Sequence, residues 1–294
     1  MRTIDPTIEL ALDVHNHLGE TPVWSEAEQA LYWVNCEEPP EILRWDPASG
    51  ELKRWAMPQR CGGFVLKQGG GALVTLARGL HDFDFATGEL SLRVASPLPE
   101  GVSLHECVCD PSGRFWTGSI NDAINPNNLL PGGGRFFRLD GDTLVPVIDG
   151  ISCANGVGFS PDGKTLYFSD SPTGICEIFD VDPSTGEVSN RRPFFTLAPG
   201  EGFVDGATVD AEGGYWPTIV YSGWLRRYLP DGTLDLSIKL PFMNPTKLAF
   251  GGKNLDTVFV TTMSEGEGKP DGRDGGLFAL KPGVKGVPDP LFVG

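Results

Sequence analysis

The sequence is poor in positive charge. Lys and Arg number 23 against 39 Asp and Glu, which leaves a formal net charge of −16 over 294 residues. A chain of this charge repels a phosphate backbone, so we exclude nucleic acid as a partner. The acidic residues are scattered and form no long run, which is typical of a solvated surface and not of an acidic tail.

Long apolar segments and paired cysteine motifs are also missing. Residues 1–10 contain Arg2, Asp5 and Glu9 and no apolar stretch, so we expect neither a secretory signal peptide nor a membrane span. The six cysteines have no disulfide-scaffold spacing, and Cys107 and Cys109 form a C-x-C instead of the C-x-x-C of zinc and redox sites. We therefore expect reduced thiols and a cytoplasmic location.

The signatures of two enzyme classes are absent as well. No G-x-S-x-G occurs, which excludes the usual Ser-His-Asp hydrolase motif. The glycine runs at 69–71 and 132–134 are followed by no helical pattern, so a nucleotide-binding fold is not supported. The 39 glycines and 25 prolines follow no collagen period and indicate the turns of an all-β chain.

What the chain does contain is an internal repeat. Each unit has an apolar strand, a D-x-x-G-like turn, an aromatic strand and a third strand that ends in a D-P-x-x-G-like turn, as in GVGFSPDGKTLYFSD at 156–170 and CEIFDVDPSTG at 176–186. The copies begin near residues 20, 62, 105, 155, 205 and 246. A period of 40 to 50 residues with about four short strands is that of a propeller blade. We predict that residues 1–294 form one six-bladed β-propeller with four-stranded blades.

The two ends of the chain bear on how the ring closes. Residues 8–14 precede the first inner strand, and we predict that they complete the last blade beside residues 290–293. Terminal strands joined in this way protect the sheet edges of the ring. A β-sandwich is the competing fold class, and the aromatic D-x-x-G repeat disfavours it.

One position in each repeat faces the central channel, at the start of the innermost strand. Reading that position along the chain gives Glu20, Gly62, His105, Asn155, Asp205 and Thr246. Taken singly, these residues read as turn residues or as a core histidine, but their shared place in the repeat favours a functional site. Carboxylate and amide oxygens suit Ca²⁺, Mg²⁺ or Mn²⁺, and an added imidazole shifts the preference toward Zn²⁺, Mn²⁺ or Fe²⁺.

Five segments carry a resemblance to a known family: GETPVW at 19–24, LYWV at 31–34, CDPSGRFWTG at 109–118, NGVGFSPDGKTLY at 155–167 and VDGATVD at 204–210. Through them the chain resembles the senescence-marker-protein/gluconolactonase/luciferin-regenerating-enzyme family, which includes regucalcin and bacterial sugar lactonases. The resemblance extends over nearly the whole chain. It implies a six-bladed propeller hydrolase that opens a small lactone with one divalent metal ion in the channel.

The resemblance also implies roles for individual residues. The family's metal ligands are a Glu, an Asn and an Asp, which match Glu20, Asn155 and Asp205, and the Asp is also the family's general base. The chain departs from the family where R-x-N-D-G is common and SLHEC stands at 103–107. Ser103 replaces an arginine that binds substrate oxygens, and His105 replaces an asparagine, so we expect a sugar-acid-like or a less polar lactone.

The reaction that these residues suggest is metal-assisted hydrolysis. The metal polarises the lactone carbonyl and lowers the pKa of a water molecule, and Asp205 or His105 accepts the water's proton. An imidazole titrates nearer to neutral pH than a carboxylate, and a metal-bound Asp205 is a weak base, so both candidates stay open.

The substrate wall is predicted from residues near the channel mouth. The main candidate contacts are Ser103, His105, Glu106, Asn121 and Tyr221, and further loop candidates are Asp122, Asn125, Asn127 and Trp224. The stretch 121–134 reads as an irregular loop over the site. Two alternatives stay open: a lyase, isomerase or phosphotriesterase chemistry in the same site, and a non-catalytic calcium-binding propeller. We expect a small-molecule lactone as partner and a monomer or weak homo-oligomer.

Overall fold

The structure, a computed structural model, describes residues 2, 4, 6–125, 127–264 and 274–294. Six four-stranded antiparallel sheets form a six-bladed β-propeller, which confirms the predicted fold class. Outside the strands, one short 3₁₀ turn, Ser171–Thr173, is found among the described residues. No helix in this part of the chain is long and apolar enough to cross a membrane.

The first three blades follow one another in the chain, each from its inner to its outer strand. The first comprises β2 (Gly19–Ser25), β3 (Ala30–Asn35), β4 (Glu41–Trp45) and β5 (Leu52–Ala56). The second comprises β6 (Cys61–Leu66), β7 (Ala72–Leu76), β8 (Gly79–Phe83) and β9 (Leu90–Ala95). The third comprises β10 (Val102–Cys109), β11 (Phe115–Asn121), β12 (Gly134–Asp140) and β13 (Thr143–Ile151).

The last three blades continue this order, except that the sixth takes its outer strand from the start of the chain. The fourth comprises β14 (Ala154–Phe159), β15 (Thr165–Asp170), β16 (Ile175–Val181) and β17 (Val188–Thr196). The fifth comprises β18 (Phe203–Val209), β19 (Tyr215–Val220), β20 (Trp224–Tyr228) and β21 (Leu234–Lys239). The sixth comprises β22 (Pro245–Gly251), β23 (Thr257–Thr262), β24 (Leu277–Leu280) and β1 (Glu9–Leu12).

The repeated aspartates of the sequence shape the turns and the core. Asp110 accepts a hydrogen bond from Trp116 Nε1 at 3.1 Å, and Asp210 accepts one from Trp216 Nε1 at 2.7 Å. The Asp210 carboxylate also accepts a bond from Arg227 Nε at 2.6 Å, and both partners are almost fully buried. The repeated spacing from aspartate to tryptophan therefore stabilises the blades and does not mark channel-facing residues.

Large aromatic side chains fill the space between neighbouring blades. Trp116 of the third blade packs on Phe159 of the fourth with ring centroids 5.3 Å apart, and Trp216 of the fifth meets Phe250 of the sixth at 6.0 Å. Burial of one such ring is worth roughly 1.5–3 kcal/mol. The blades are thus held together face to face by apolar contacts, which leaves the inner strands free to present polar groups to the axis.

A β-bulge interrupts the inner strand of every blade at the same point. The register with the second strand shifts between Glu20 and Val23, Cys61 and Gly63, Leu104 and Cys107, Asn155 and Gly158, Val204 and Ala207, and Pro245 and Leu248. A bulge re-aims the side chains beside it and bends the strand. These six bulges are what turn the channel-facing residues toward one another.

The ring closes through its first strand, but the C-terminal segment lies elsewhere than predicted. β1 pairs antiparallel with β24 and completes the sixth blade, as expected. Residues 290–293 do not lie beside it: Phe292 bridges to Lys67 of the second blade, and the Val293 N–H donates to the Gly113 carbonyl of the third at 3.2 Å. Pro288 and Pro290 supply no N–H to a strand ladder, which disfavours pairing at the blade edge.

The C-terminal segment, residues 285–294, instead crosses the end of the channel that is remote from Glu20. Between residues 287–290 and the far halves of the inner strands lies a cavity of about 310 Å³. Its walls are mostly apolar, with Lys247 as a charged member. One end of the channel is thereby covered, and the other end holds the predicted site.

Candidate active site in the channel

Glu20 of β2 and Asp205 of β18 come together in the channel. They belong to the first and fifth blades, are only 4% and 9% exposed, and their carboxyl groups share a hydrogen bond. Burial raises the pKa of Glu20 to about 7. Burial, and then the charges of Glu20 and Glu106, raise the pKa of Asp205 well above its usual value. Without a cation, the pair therefore retains a proton near neutral pH.

Asn155, at the start of β14, is connected through Ser171 to the residue that precedes Asp205, and its amide is already oriented. Its Nδ2 donates to Ser171 Oγ at 2.9 Å and to Cys153 Sγ at 3.6 Å. Ser171 Oγ in turn donates to the carbonyl of Val204, the neighbour of Asp205, at 2.6 Å. Because the amide nitrogen is engaged on this side, the amide oxygen is left to face a ligand.

A buried ion pair crosses the channel next to the acidic residues. Lys247 of the sixth blade donates to Glu106 of the third at 2.5 Å, and Glu106 Oε2 also accepts the Val157 N–H at 3.3 Å. The Lys247 stem passes over Gly206, where an added Cβ would lie 2.4 Å from it. Burial lowers the pKa of Lys247, but the carboxylates of Glu106 and Glu20 outweigh it and the net shift is upward.

The charges of this cluster fit a divalent cation. Three buried carboxylates, Glu20, Glu106 and Asp205, face the single ammonium of Lys247, so full ionisation leaves two uncompensated negative charges. Buried charge of this kind is stable only when it is paired, protonated or bound to a metal. Within the described ranges no three His, Cys, Asp or Glu side chains form a metal-binding group. The predicted ligands, the Glu20 and Asp205 carboxylates and the Asn155 amide oxygen, are all hard donors that suit such a cation.

His105 is held as a neutral imidazole by an arginine that the sequence analysis missed. Arg60 Nη1 lies 3.3 Å from His105 Nδ1, and Arg60 Nε donates to Glu37 Oε1 at 2.5 Å. A guanidinium only donates, so Nδ1 is the acceptor and the ring proton resides on Nε2. Burial first, and then the charges of Arg60 and Lys247, lower the pKa of His105 well below its usual value.

Two of the other predicted contacts form bonds within the third blade. Ser103 Oγ donates to Asp122 Oδ2 at 3.0 Å and is 5% exposed. Asn121 donates to the Gly132 carbonyl at 2.8 Å and accepts the Ala123 N–H at 2.9 Å, so its amide is used to shape the loop. Its assignment to the substrate stays a prediction.

The remaining candidates lie on exposed loops or on the fifth blade. Asn125 accepts the Asn127 N–H at 2.9 Å within the exposed loop. Tyr221 is 55% exposed on a turn of the fifth blade, and its ring meets Phe203, two residues before Asp205, at 6.1 Å. Trp224 packs under Lys239 Nζ at 5.1 Å. Tyr221 is therefore the candidate at the rim of the mouth, on the blade that supplies Asp205.

Lys247 and Arg60, which the sequence analysis did not single out, both left some signal in the sequence. Lys247 directly follows Thr246, just as Glu106 follows His105, so the two residues occupy equivalent points of opposite blades. Arg60 precedes Gly62 by two residues and thus shares its side of the chain, since side chains alternate along a strand. The equivalence predicts the location of each backbone, but not how far a long side chain reaches.

With this geometry established, comparison with known proteins identifies the family. The pattern described as the SMP-30/Gluconolactonase/LRE-like region matches residues 18–264, which include the channel residues of all six blades. The chain belongs to this family. The resemblance noted from the five sequence segments is thereby confirmed.

Individual members of the family are similar over almost their full lengths. A 6-deoxy-6-sulfogluconolactonase of Pseudomonas putida is 33% identical over 99% of this chain and 100% of its own. An L-arabinolactonase of Azospirillum brasilense is 32% identical over 100% of this chain and 99% of its own. Among solved structures, a calcium-binding protein, regucalcin, from Agrobacterium tumefaciens superposes with a TM-score of 0.91 at 26% identity, covering 98% of both chains.

Proposed function

We propose that this protein is a metal-dependent lactonase that hydrolyses the lactone of a sugar acid to the open hydroxy acid. The observation that carries the proposal is the buried Glu20–Asp205 carboxyl pair together with the oriented Asn155 amide. Membership of the family supports the enzyme class, since relatives of full length are named lactonases, which are hydrolases of carboxylic esters. The polar channel mouth around Arg60 and His105 favours a hydroxylated substrate over an apolar one.

The cation would be held by Glu20, Asn155 and Asp205. When bound, it supplies Lewis-acid polarisation of the lactone carbonyl and of a water molecule. Because His105 carries its proton on Nε2 and turns Nδ1 toward Arg60, it offers no lone pair to a metal. The donor set is then oxygen only, which favours Ca²⁺, Mg²⁺ or Mn²⁺ over Zn²⁺.

The protein's own groups divide the proton transfers between them. Asp205 accepts the proton of the attacking water as the water oxygen bonds to the carbonyl carbon. The ring C–O bond then breaks, and the same proton passes to the departing ring oxygen. His105 Nε2–H donates a hydrogen bond to a substrate oxygen, and the Glu106–Lys247 pair supplies a fixed field beneath the site.

The proposal is tested by acid release in a pH-stat. The chelated enzyme is reloaded separately with Ca²⁺, Mg²⁺, Mn²⁺ or Zn²⁺ and assayed on L-arabinono-1,4-lactone, with Glu20→Gln, Asn155→Ala and Asp205→Asn as variants. We expect turnover only with metal, and a loss of about 100-fold or more in Asp205→Asn. Glu89→Gln, an exposed carboxylate of the second blade, is the matched control and should keep full activity.

The same assay separates the lactonase from a non-catalytic calcium-binding propeller. The latter has support in the oxygen-only donor set and in the name of the regucalcin structure. Tight Ca²⁺ binding by calorimetry without acid release from any lactone would favour binding alone. Undiminished turnover in all three site variants would overturn the assignment of the site.

A further inference from the structure

The second blade contributes to the mouth of the channel in an unusual way. Its channel-facing residue is Gly62, and a Cβ at that position would lie 2.7 Å from His105 Cα. No side chain fits there, because backbone atoms of the third blade occupy the space. The second blade therefore reaches the site through Arg60, two residues earlier, whose guanidinium extends to His105.

Arg60 has hydrogen-bond donors to spare. Of its five N–H groups, one at Nε is used by Glu37 and one at Nη1 by His105. In the part of the chain that the structure describes, its Nη2 has no acceptor. The side chain is 18% exposed, so these donors are open to the mouth and not sealed in the core.

The position where the family resemblance leads us to expect an arginine lacks one. Ser103 stands there, and its hydroxyl is bonded to Asp122. A planar guanidinium with two free N–H groups on one nitrogen matches oxygen acceptors on a substrate. Arg60 Nη1 lies 3.3 Å from His105 Nδ1, so the guanidinium and the imidazole form one hydrogen-bonded pair that still has N–H groups available at Nη2 and Nε2.

We propose that Arg60 is the substrate-binding arginine of this enzyme, and that with His105 it recognises the hydroxyl groups of a neutral sugar lactone. This inference rests on the proposed lactonase function and specifies its substrate class. The charge around Arg60 favours hydroxyls over an anionic group, because Glu37 already pairs with the guanidinium and Asp122 lies behind Ser103. An arginine from the second blade thus does the work that the resemblance assigns to the third.

The test compares lactones with and without hydroxyl groups. Metal-loaded wild type, Arg60→Met and Arg60→Lys are assayed on L-arabinono-1,4-lactone and on γ-butyrolactone, whose ring has no hydroxyl. We expect Arg60→Met to lower kcat/KM for the hydroxylated lactone by about 10- to 100-fold, mainly through KM. The γ-butyrolactone reaction should change by less than about threefold, because it never used the arginine. Arg60→Lys should lie in between.

The control is Arg54→Met, which removes an arginine paired to Glu41 on the outer part of the first blade, 41% exposed. It should leave both reactions unchanged. Equal losses on both lactones in Arg60→Met would show that Arg60 only positions His105, and no loss on either would remove it from the site. A larger loss on the carboxylate-bearing lactone of glucaric acid than on the neutral lactone would replace hydroxyl recognition with anion recognition.

A binding measurement keeps this inference separate from the proposed function. Calorimetry of 1,4-anhydro-L-arabinitol, a neutral ring that keeps the hydroxyl groups and has no ester to hydrolyse, with the metal-loaded protein requires no turnover. If the wild type hydrolyses no lactone, the proposed function fails, whereas weaker binding by about tenfold in Arg60→Met would still support the role of Arg60. Equal binding by Arg60→Met and wild type would overturn it.

Discussion

Glu20 and Asp205 come from blades that are far apart in the chain, yet their carboxyl groups share one hydrogen bond. At this scale, burial decides the charge state. Two carboxylates and Glu106 cannot all ionise around one lysine without a compensating cation, so a proton stays on the pair. Binding of a cation should consequently release the proton that the two carboxyl groups share.

The stability of the metal-free protein should depend on pH in a defined direction. The pKa of Glu20 is raised to about 7 in the folded state and lies near 4.5 when unfolded, so the folded state holds more protons between these values. Stability is therefore highest at low pH within this window and falls as pH rises through about 7, by on the order of 3 kcal/mol. Thermal unfolding of the chelated protein from pH 5 to 8 measures this loss.

Two comparisons check the cause of that pH dependence. Added Ca²⁺ should reduce the fall in stability between about pH 5 and pH 7, because the cation replaces the proton. Glu20→Gln should reduce it without metal, whereas Glu89→Gln should leave it as in the wild type. A metal-free protein that gains stability between pH 5 and 8 would contradict the shared proton.

His105 should act as a hydrogen-bond donor and not as a base. Its pKa lies well below the usual value, and Nδ1 already accepts a bond from Arg60. His105→Asn retains an N–H donor and should keep kcat/KM within about tenfold, while His105→Ala should lose about 10- to 100-fold. Profiles of kcat/KM against pH provide the measurement. If His105→Asn abolished an ionisation near pH 6.5, the imidazole would be the base instead.

Single residues show how far the site was predictable. Glu20, Asn155 and Asp205 were predicted as one group because each occupies the same point of a repeat, and the structure brings Glu20 and Asp205 into contact. Arg60 and Lys247 were missed because their charged ends lie several bonds from the backbone. The repeat predicts where a Cα atom lies, but the charged end of a long arginine or lysine side chain can lie against another blade.

Among the elements, the inner strands combine two tasks. Their second halves pack as ordinary strands, while the bulges at their starts turn side chains to the axis. The aspartates of the following turns fix the strands from outside the channel, as Asp210 does with Trp216 and Arg227. Alternation and turn residues predicted the strands well, whereas the bulges have no clear sequence signal, since one extra residue leaves the composition unchanged.

Removal of the Asp210 carboxylate should destabilise the fifth blade strongly. Arg227 is 2% exposed in its side chain, and Asp210→Ala removes the most deeply buried of the three carboxylates that pair with it, the others being Asp235 and Glu212. Breaking a buried pair costs about 3–5 kcal/mol. Asp182→Ala removes an exposed turn aspartate and should cost about 1 kcal/mol or less. Urea unfolding compares the two, and equal costs would show that the buried pair contributes nothing beyond the turn.

For the whole molecule, the repeat was sufficient to predict six blades and the closure by β1. The position of the C-terminal segment was not predictable from it, because residues 285–294 lie outside the repeated unit and form hydrogen bonds with five of the six blades. Phe292 anchors this segment: it is 3% exposed, packs on Phe115 at 6.3 Å and lies under the guanidinium of Arg93 at 5.1 Å.

Truncation of that anchor should affect stability and leave catalysis intact. Phe292→Ala creates a cavity between the second and third blades and should lower the free energy of unfolding by about 3 kcal/mol. The neighbouring Leu291, 42% exposed, is the matched control, and Leu291→Ala should cost less than about 0.5 kcal/mol. Chemical unfolding and kcat/KM at 25 °C are measured together. A lowered kcat/KM with unchanged stability would instead connect the segment to the site.

The covered end of the channel has a consequence for traffic through the molecule. Residues 287–290 lie over one end, and the Glu106–Lys247 pair bars the axis above them. Lactone must then enter, and product leave, through the same open end of the channel. The product acid therefore competes directly with the next lactone. In the proposed reaction, ring opening converts a neutral lactone into an anion inside a protein of net charge −16, and we expect this repulsion to speed the release of the product.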